Sequence, residues 1–250
     1  MLKVNIENIT LSNNSEKHFI LSNIKFELFE RKVYTILGKN GSGKSTLIKS
    51  LTGLLNDNIF LTRGTVLLDG KDILTCDAKN LQQIRKNKIR YVFQDAVNSF
   101  DPLRTFKYYF ENSLADKNQI EKLLKYFLLP GYDEVSRLYP YEVSGGMAQR
   151  LSTVLAFAAN PILIIFDEPT SGVDYAISNL LLLKLKDFIQ KENRSALLVT
   201  QDINFVEKIS DEITFLSDGT ITQFKTKSDF FTQRENDVLN SFFSSHDELK

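Results

Sequence analysis

The sequence VYTILGKNGSGKS, at residues Val33–Ser45, predicts the class of fold to which this chain belongs. Its first five residues are apolar, aromatic or β-branched, which predicts a buried β-strand over Val33–Leu37, and the apolar spacing that follows predicts a helix over Lys44–Leu55. The residues Gly38–Ser45 fit the pattern G-x-x-x-x-G-K-[S/T] between a strand and a helix, which is the context that the pattern requires. A glycine-rich turn there points backbone N–H groups at a phosphate, and the helix N-terminus adds a partial positive charge. The stretch therefore predicts a phosphate-binding loop, or P-loop, in an α/β fold.

The side chains of this loop predict ATP with Mg²⁺ as the ligand. Lys44 is long enough to reach the β- and γ-phosphates, and Ser45 offers a hydroxyl to Mg²⁺. A glycine-rich turn that fits by accident is the alternative, and it arises on the order of once in a hundred chains of this length. The nucleotide site is predicted at Gly38, Lys39, Asn40, Gly41, Ser42, Gly43, Lys44, Ser45 and Thr46.

A second stretch, Leu163–Glu168, consists of four apolar residues followed by two acids. A buried strand of this kind ends at the carboxyl edge of a parallel sheet, where ligands bind in open α/β folds. There Asp167 suits the Mg²⁺ shell, directly or through water, and Glu168 suits the orientation or deprotonation of an attacking water. Alone the motif is also typical of a strand that ends in solvated acids, and the upstream P-loop favours the metal and water roles.

The rest of the chain alternates short β-rich runs with helical patterns, which predicts a mostly parallel central sheet. Residues 95–157 break that rhythm and predict an inserted, mainly helical segment with helices over Ile120–Leu129 and Met147–Ala158. A hairpin with a type I′ turn is predicted around Asp218-Gly219. The further strands are predicted at Thr65–Leu68, Ile89–Phe93, Ile162–Phe166 and Ala196–Thr200, and the further helices at Asp174–Gln190 and Ile203–Ile209.

Composition bears on the partners and the cellular compartment that can be expected for this chain. Lys and Arg number 31, as do Asp and Glu, so zero net charge gives no reason to expect a nucleic-acid partner. A single cysteine, Cys76, cannot form an internal disulfide and is typical of a reducing cytosol. Apolar runs are far shorter than the ~20 residues that span a bilayer, so any membrane-spanning part is expected on another chain.

A third motif, Ser144-Gly145-Gly146 followed by Met147, opens the helix before the acidic strand. A hydroxyl and unobstructed N–H groups at a helix N-terminus suit an anion, and a plain helix cap would explain the serine but not the paired glycines. Together with the P-loop, these residues resemble the signature motif of the ATP-binding subunits of ABC transporters. Met147 in place of the usual glutamine is similar to the dipeptide, oligopeptide and nickel import group.

The resemblance implies further site residues. Gln94, after the strand Ile89–Phe93, matches the glutamine that links the Mg²⁺ and water site to the membrane partner, and we expect it to take part in both catalysis and metal binding. The residues Ser171–Asp174 match the loop that crosses the dimer interface.

The resemblance also implies a fold and its division. We expect a P-loop NTPase (RecA-like) core at residues 1–94 and 159–227, with an antiparallel β portion near the N-terminus. A helical subdomain is expected at 95–158 and a short helical tail at 228–250, in which Val238–Phe243 is amphipathic. Two such domains would pair head to tail, each ATP lying between one P-loop and the opposite Ser144, Gly145 and Gly146.

Two positions depart from the family. Gln201 stands where a catalytic histidine is expected, and glutamine can donate a hydrogen bond but carries neither a proton nor a positive charge to a γ-phosphate. The family also stacks an aromatic residue on adenine: Phe19 is a candidate for that role, and a position in the hydrophobic core is the preferred interpretation.

The resemblance thus implies an ATP-hydrolysing subunit of an importer for peptides, nickel or a metal chelate, at the cytoplasmic face of the membrane. Its implied partners are a second ATPase subunit, expected to be a different chain, transmembrane permeases and an extracytoplasmic substrate-binding protein. A degenerate subunit that holds ATP mainly to shape a heterodimer is the alternative, because of Gln201.

Overall fold

A computed structural model describes residues 1–12 and 18–232 of the chain. Its strands are β1 (Leu2–Leu11), β2 (His18–Leu28), β3 (Val33–Leu37), β4 (Phe60–Leu68), β5 (Lys71–Asp72), β6 (Ile89–Val92), β7 (Leu163–Asp167), β8 (Ser195–Thr200), β9 (Glu212–Ser217), β10 (Thr220–Ile221) and β11 (Lys225–Thr226). Its α-helices are α1 (Lys44–Leu51), α2 (Ala78–Asn87), α3 (Phe106–Glu111), α4 (Lys117–Tyr126), α5 (Tyr132–Val135), α6 (Gly145–Ala158), α7 (Tyr175–Ile189), α8 (Ile203–Ile209) and α9 (Lys227–Thr232).

The central sheet has the strand order β10-β9-β3-β8-β7-β6, with β11 also paired to β9. The pairs β9–β3, β3–β8, β8–β7 and β7–β6 are all parallel. Every residue of β3, β7 and β8 is buried, as near-continuous apolar strands covered on both faces should be. The predicted α/β fold with a mostly parallel sheet is confirmed.

A second sheet of four strands, in the order β2-β1-β4-β5, is antiparallel throughout. The run Thr65–Leu68 belongs to its strand β4, which begins earlier, at Phe60, and pairs with β1 rather than with the central sheet. In β1 the side chains alternate between buried and exposed from Leu2 to Glu7, which is typical of a strand with one face on the core. The expected antiparallel β portion is therefore present.

Helix α1 is shorter than predicted. It ends at Leu51, four residues before the expected end at Leu55. Gly53 follows in a left-handed conformation with φ +63°, a common way for a helix to stop. The apolar pair Leu54-Leu55 therefore belongs to the loop and not to the helix.

The regular elements between β6 and β7 are all helices, and the segment contains no strand. Its helices α4 and α6 contain most of the predicted spans Ile120–Leu129 and Met147–Ala158. The predicted boundaries at 94/95 and 158/159 stay a prediction. Of the predicted tail, only α9 falls among the described residues, and Val238–Phe243 lies outside them.

The hairpin after α8 forms at the predicted position. Asp218 and Gly219 have φ values of +48° and +73°, and a type I′ turn requires positive φ at both central residues. Strand β10 is only two residues long, and the same chain segment pairs with β9 again further on, as β11.

Candidate functional site

The candidate site lies at the carboxyl edge of the central sheet. Strand register places Leu37 beside Thr200 and Asp167 beside Val199, so the residues that follow β3, β7 and β8 meet at one edge. A cavity of about 310 Å³ opens there. It is lined by Ile20, Asn40, Gly41, Gly43, Lys44, Ser45, Thr46, Gln94, Asp167 and Glu168.

The P-loop wraps around the amine of Lys44. Its Nζ donates hydrogen bonds to the carbonyl oxygens of Gly38, at 2.8 Å, and Lys39, at 3.0 Å, and lies 3.6 Å from Glu168 Oε1. Burial lowers the pKa of Lys44, and the charge of Glu168 opposes that shift. A buried ammonium beside backbone N–H groups is suited to bind phosphate oxygens.

Close packing explains the first glycine of the loop. A Cβ on Gly38 would lie 2.6 Å from the carbonyl oxygen of Leu216 in β9. Because backbone cannot move aside as a flexible side chain can, only glycine fits here without a shift of the sheet. The loop is thus fixed against β9 as well as by its own turn.

Asp167 ends β7 with its carboxylate buried and receives two hydroxyl donors. Tyr91 donates to Oδ2 at 2.8 Å and Ser45 donates to the same oxygen at 3.2 Å. Its Oδ1 has no hydrogen-bond partner within residues 1–12 and 18–232. Burial raises the pKa of Asp167, and the two hydroxyls act against that rise. A buried carboxylate oxygen that lacks a donor, beside a serine hydroxyl, fits Mg²⁺, a hard cation that prefers oxygen ligands.

Glu168 is held in a fixed orientation. Its Oε2 accepts hydrogen bonds from Thr200 Oγ1, at 2.7 Å, and from the backbone N–H of Gln201, at 3.2 Å. Its backbone has φ +48°, an uncommon conformation for a residue with a side chain. Such outliers often mark functional sites, because the surrounding structure must hold them in place. The second oxygen, Oε1, lies 3.6 Å from Lys44 Nζ and has no hydrogen-bond partner among the described residues.

The structure brings most of the predicted site residues together. Gln94 is exposed and lines the cavity. Gln201 reaches Glu168 through its backbone, while its side chain is exposed and is not among the lining residues.

Ser144, Gly145 and Gly146 are not brought to this cavity. Ser144 caps α6, where its hydroxyl accepts a hydrogen bond from the N–H of Met147 at 3.2 Å. A Cβ on Gly146 would lie 3.5 Å from the carbonyl oxygen of Gly172, so the glycine pair adjoins the loop Ser171–Asp174.

The preference for Phe19 as a core residue is wrong. Its side chain is 57% exposed. It lines a second cavity, of about 680 Å³, together with His18 and the outer side of the P-loop, Lys39–Ser42. Phe19 lies near the start of β2, and the register of β2 against β1 shifts between Leu21 and Phe19, so the alternation of buried side chains along β2 does not extend to it.

Two residues of the site were missed by sequence reasoning. Tyr91 and Thr200 are strand residues that read as ordinary β-formers, yet their hydroxyls bond the two acids. The signal for Tyr91 is its position opposite Ile165 in the neighbouring strand, two residues before Asp167 and on the same face.

In residues 1–12 and 18–232, no three His, Cys, Asp or Glu side chains cluster as a metal site. Over the same ranges, none of the helices combines the length and the apolar character that crossing a membrane requires.

Comparison with known proteins agrees with this geometry. The model of the family described as "ABC transporter" matches residues 21–171, more than half of the chain. The chain is 29% identical over 236 residues to the oligopeptide transport ATP-binding protein AmiE of Streptococcus pneumoniae serotype 4, covering 90% of this chain and 66% of AmiE. It is 30% identical over 218 residues to the oligopeptide transport ATP-binding protein OppD of Bacillus subtilis, covering 83% of this chain and 61% of OppD.

The chain therefore spans about two thirds of the length of these relatives. Among solved structures it resembles the dimeric, post-hydrolysis state of the ATP-binding cassette MJ0796 bound to ADP and Pi. The TM-score is 0.76 at 26% identity, covering 91% of this chain and 99% of that one. Its P-loop, buried acids and central sheet, together with the family match, show that the chain belongs to the ABC transporter family.

Proposed function

We propose that this chain binds ATP with Mg²⁺ in the 310 Å³ cavity and hydrolyses it as the ATP-binding subunit of an ABC importer for peptides. The observation that carries the proposal is the meeting of Lys44, Ser45, Asp167 and Glu168 within one cavity at the carboxyl edge of the sheet. A cation, a hydroxyl and two carboxylates are the groups that phosphoryl transfer to water needs.

In this proposal the P-loop binds the phosphates. The backbone N–H groups of the loop and the ammonium of Lys44 offset the charge of the β- and γ-phosphates. Nucleotide binding would replace the contacts that Lys44 makes with Gly38, Lys39 and Glu168. Mg²⁺, when bound, supplies charge neutralisation at the phosphates, and Ser45 and Asp167 are the residues that would hold it.

Glu168 is the residue that would handle the attacking water. Two hydrogen bonds fix its Oε2, and its Oε1 points towards Lys44, where the phosphates would lie. A carboxylate that is anchored at one oxygen and free at the other can orient water and accept its proton. Gln94 lines the same cavity and is positioned to contribute to the metal and water site.

The second cavity supports an adenine site. Phe19 offers an exposed aromatic face beside the P-loop, and His18 adjoins it. A purine ring binds well against such a face because every base presents a π-surface. We therefore assign adenine to Phe19, the role that sequence analysis ranked second.

The signature residues support a head-to-tail dimer. Ser144, Gly145 and Gly146 lie outside the cavity of their own chain, so they would contribute only to the cavity of a partner chain. The resembling structure MJ0796 is dimeric, which agrees with this arrangement. We propose a second ATPase chain, permease subunits and an extracytoplasmic substrate-binding protein as partners, at the cytoplasmic face of the membrane.

Peptide cargo rests on the names of the relatives, which are ATP-binding proteins of oligopeptide and dipeptide transport. Nickel or a metal chelate was the other cargo that the resemblance implied, and these relatives favour peptide.

A degenerate subunit is the second candidate function. The observation that favours it is Gln201, whose neutral side chain is exposed rather than directed into the cavity lining. Such a chain would bind ATP mainly to shape the dimer, while the site on the partner's P-loop would do most of the hydrolysis.

Glu168→Gln separates the two functions. In the purified complex, with the partner's own site blocked by its equivalent of Glu168→Gln, this variant should keep ATP binding and slow the remaining phosphate release by ~10²–10⁴-fold, because a general base is typically worth that much. Phosphate release by the complex and binding of labelled ATP are the two measurements. Turnover at wild-type speed with binding intact would contradict hydrolysis at this chain's P-loop and favour the degenerate subunit.

A further inference from the structure

One hydrogen bond at the acidic strand is not explained by the proposed roles of the P-loop and the two acids. Tyr91 lies in β6, and its hydroxyl donates to Asp167 Oδ2 at 2.8 Å. The tyrosine is opposite Ile165 in the parallel register between β6 and β7. Because Ile165 and Asp167 share one face of β7, the ring extends along the sheet to the carboxylate.

The hydroxyl of Tyr91 is a fixed donor. A phenol carries a proton that it can donate, and an ionised carboxylate can only accept, so Tyr91 is the donor in this hydrogen bond. Phe93 packs against the ring with a centroid distance of 4.0 Å. The ring is therefore held in place by its neighbour as well as by its own hydrogen bond.

Both donors to Asp167 reach the same oxygen. Tyr91 and Ser45 donate to Oδ2, while Oδ1 has no hydrogen-bond partner among the residues that the structure describes. A carboxylate offers about four lone-pair positions, and two hydroxyls occupy only part of that capacity. The carboxylate is thus fixed in rotation and keeps accepting capacity for a further group.

We propose that Tyr91 is a positioning residue for the Mg²⁺ site. Its hydroxyl orients the carboxylate of Asp167 so that Asp167 and Ser45 can hold the same metal ion. The inference rests on the proposed function, since it concerns the same site. Groups that hydrogen-bond a metal ligand commonly matter for affinity almost as much as the ligand does, and their loss weakens metal binding by roughly 10–100-fold.

Tyr91→Phe tests the inference because it removes one hydroxyl and keeps the ring. A fluorescent ATP analogue is bound to the full chain in EDTA and across a Mg²⁺ titration, and bound Mn²⁺ is counted by electron paramagnetic resonance. The variant should match the wild type in EDTA, need on the order of tenfold more Mg²⁺ for the same gain in binding, and hold less Mn²⁺.

Tyr126→Phe is the matched control. Tyr126 is also a partly buried tyrosine whose hydroxyl donates one hydrogen bond, to the carbonyl oxygen of Leu180 at 3.0 Å. That bond joins the end of α4 to α7. This variant should keep the Mg²⁺ dependence of the wild type. Equal weakening in EDTA and Mg²⁺, or the same change in Tyr126→Phe, would mean a structural role and overturn the inference.

A double variant distinguishes an effect that acts through Asp167 from a general loss of stability. If Tyr91 acts through Asp167, adding Tyr91→Phe to Asp167→Asn should reduce Mg²⁺ dependence no further than Asp167→Asn does alone, and additive losses would overturn the inference. A wild-type chain that binds no nucleotide would contradict the proposed function. A Mg²⁺-dependent wild type with an unchanged Tyr91→Phe would contradict only the inference.

Discussion

Asp167 is a charge in an unfavourable place. Its side chain is buried at the end of a fully buried strand, and burial raises its pKa despite hydrogen bonds from Tyr91 and Ser45. A carboxyl whose pKa is higher in the folded chain than in the unfolded chain destabilises the fold at any pH above its unfolded value. Sites that serve a function commonly carry such a cost in stability, and Mg²⁺ binding is the role proposed for Asp167.

Replacement of Asp167 by asparagine should therefore stabilise the nucleotide-free chain. At pH 7 we expect Asp167→Asn to raise the free energy of unfolding by about 1 kcal/mol, which is about 2–4 °C in Tm for a chain of this size. The gain should shrink as the pH falls towards ~4, because the wild-type carboxyl then protonates. Thermal unfolding of both chains between pH 4 and pH 8 measures this.

Asp77→Asn is the control for that experiment. Asp77 caps α2, is exposed, and has a pKa lowered by hydrogen bonds from Asn80, the opposite of the shift at Asp167. Its replacement should bring no stabilisation at pH 7. An Asp167→Asn chain that is no more stable than the wild type would mean that Tyr91 and Ser45 already offset the cost of burial.

Sequence reasoning at this scale found the residues with a motif and missed those without one. Lys44, Asp167 and Glu168 belong to patterns whose spacing fixes their place at the sheet edge. Thr200 and Tyr91 contribute single hydroxyls from ordinary strand positions, and their contacts depend on which strands are neighbours. That order, with β8 between β3 and β7, follows from packing and cannot be read from local pattern.

Two helix N-termini carry residues for which a function is proposed. Helix α1 begins inside the P-loop, and Ser144 caps α6 through the N–H of Met147. Helix α4 begins with a full capping box at Asp116 and Gln119, away from the candidate site. Two helices with similar caps thus differ in their proposed role, and this contrast can be tested.

Ser144→Ala and Asp116→Ala should each destabilise the chain by about 1 kcal/mol through the loss of a cap. Only Ser144→Ala should also lower ATP turnover in the dimer, because its hydroxyl is proposed to contact the partner's nucleotide. Chemical denaturation and phosphate release, measured on both variants, separate the two effects. Equal turnover in the two variants would contradict a role for Ser144 beyond capping.

The sequence was enough to predict which segments are strands and which are helices, but it predicted their ends less well. The buried strands β3, β7 and β8 and the long helix α7 lie within a residue or two of prediction, because their apolar patterns are long and bounded by turn residues. Helix α1 ends early because Gly53 takes a left-handed conformation. The apolar residues after Gly53 continue the helical pattern in the sequence, so the pattern alone predicts a later end.

At the scale of the whole molecule, we predict two unequal ATP sites in a heterodimer. The site on this chain's P-loop keeps Lys44, Asp167 and Glu168, and has Gln201 where a histidine is expected. Phosphoryl transfer depends on positioning and charge stabilisation, so a neutral side chain there should slow the step.

Gln201→His should raise the ATPase rate of the purified complex, by on the order of tenfold at this site. Steady-state phosphate release, with the partner's own site blocked by its equivalent of Glu168→Gln, measures the change. No rise, together with a strong loss of activity in Glu168→Gln, would mean that the glutamine site is already competent and that the sites are not unequal.

Every role proposed for this chain depends on ATP binding in the P-loop cavity, which calorimetry measures. Calorimetric titration of the purified chain with Mg·ATP should give a single site, and Lys44→Ala should weaken it at least tenfold, because a charge-assisted contact is worth about 1.5–3 kcal/mol. Lys86→Ala, an exposed lysine in the last turn of α2, should bind as the wild type does. Equal affinity in Lys44→Ala and the wild type would contradict the account.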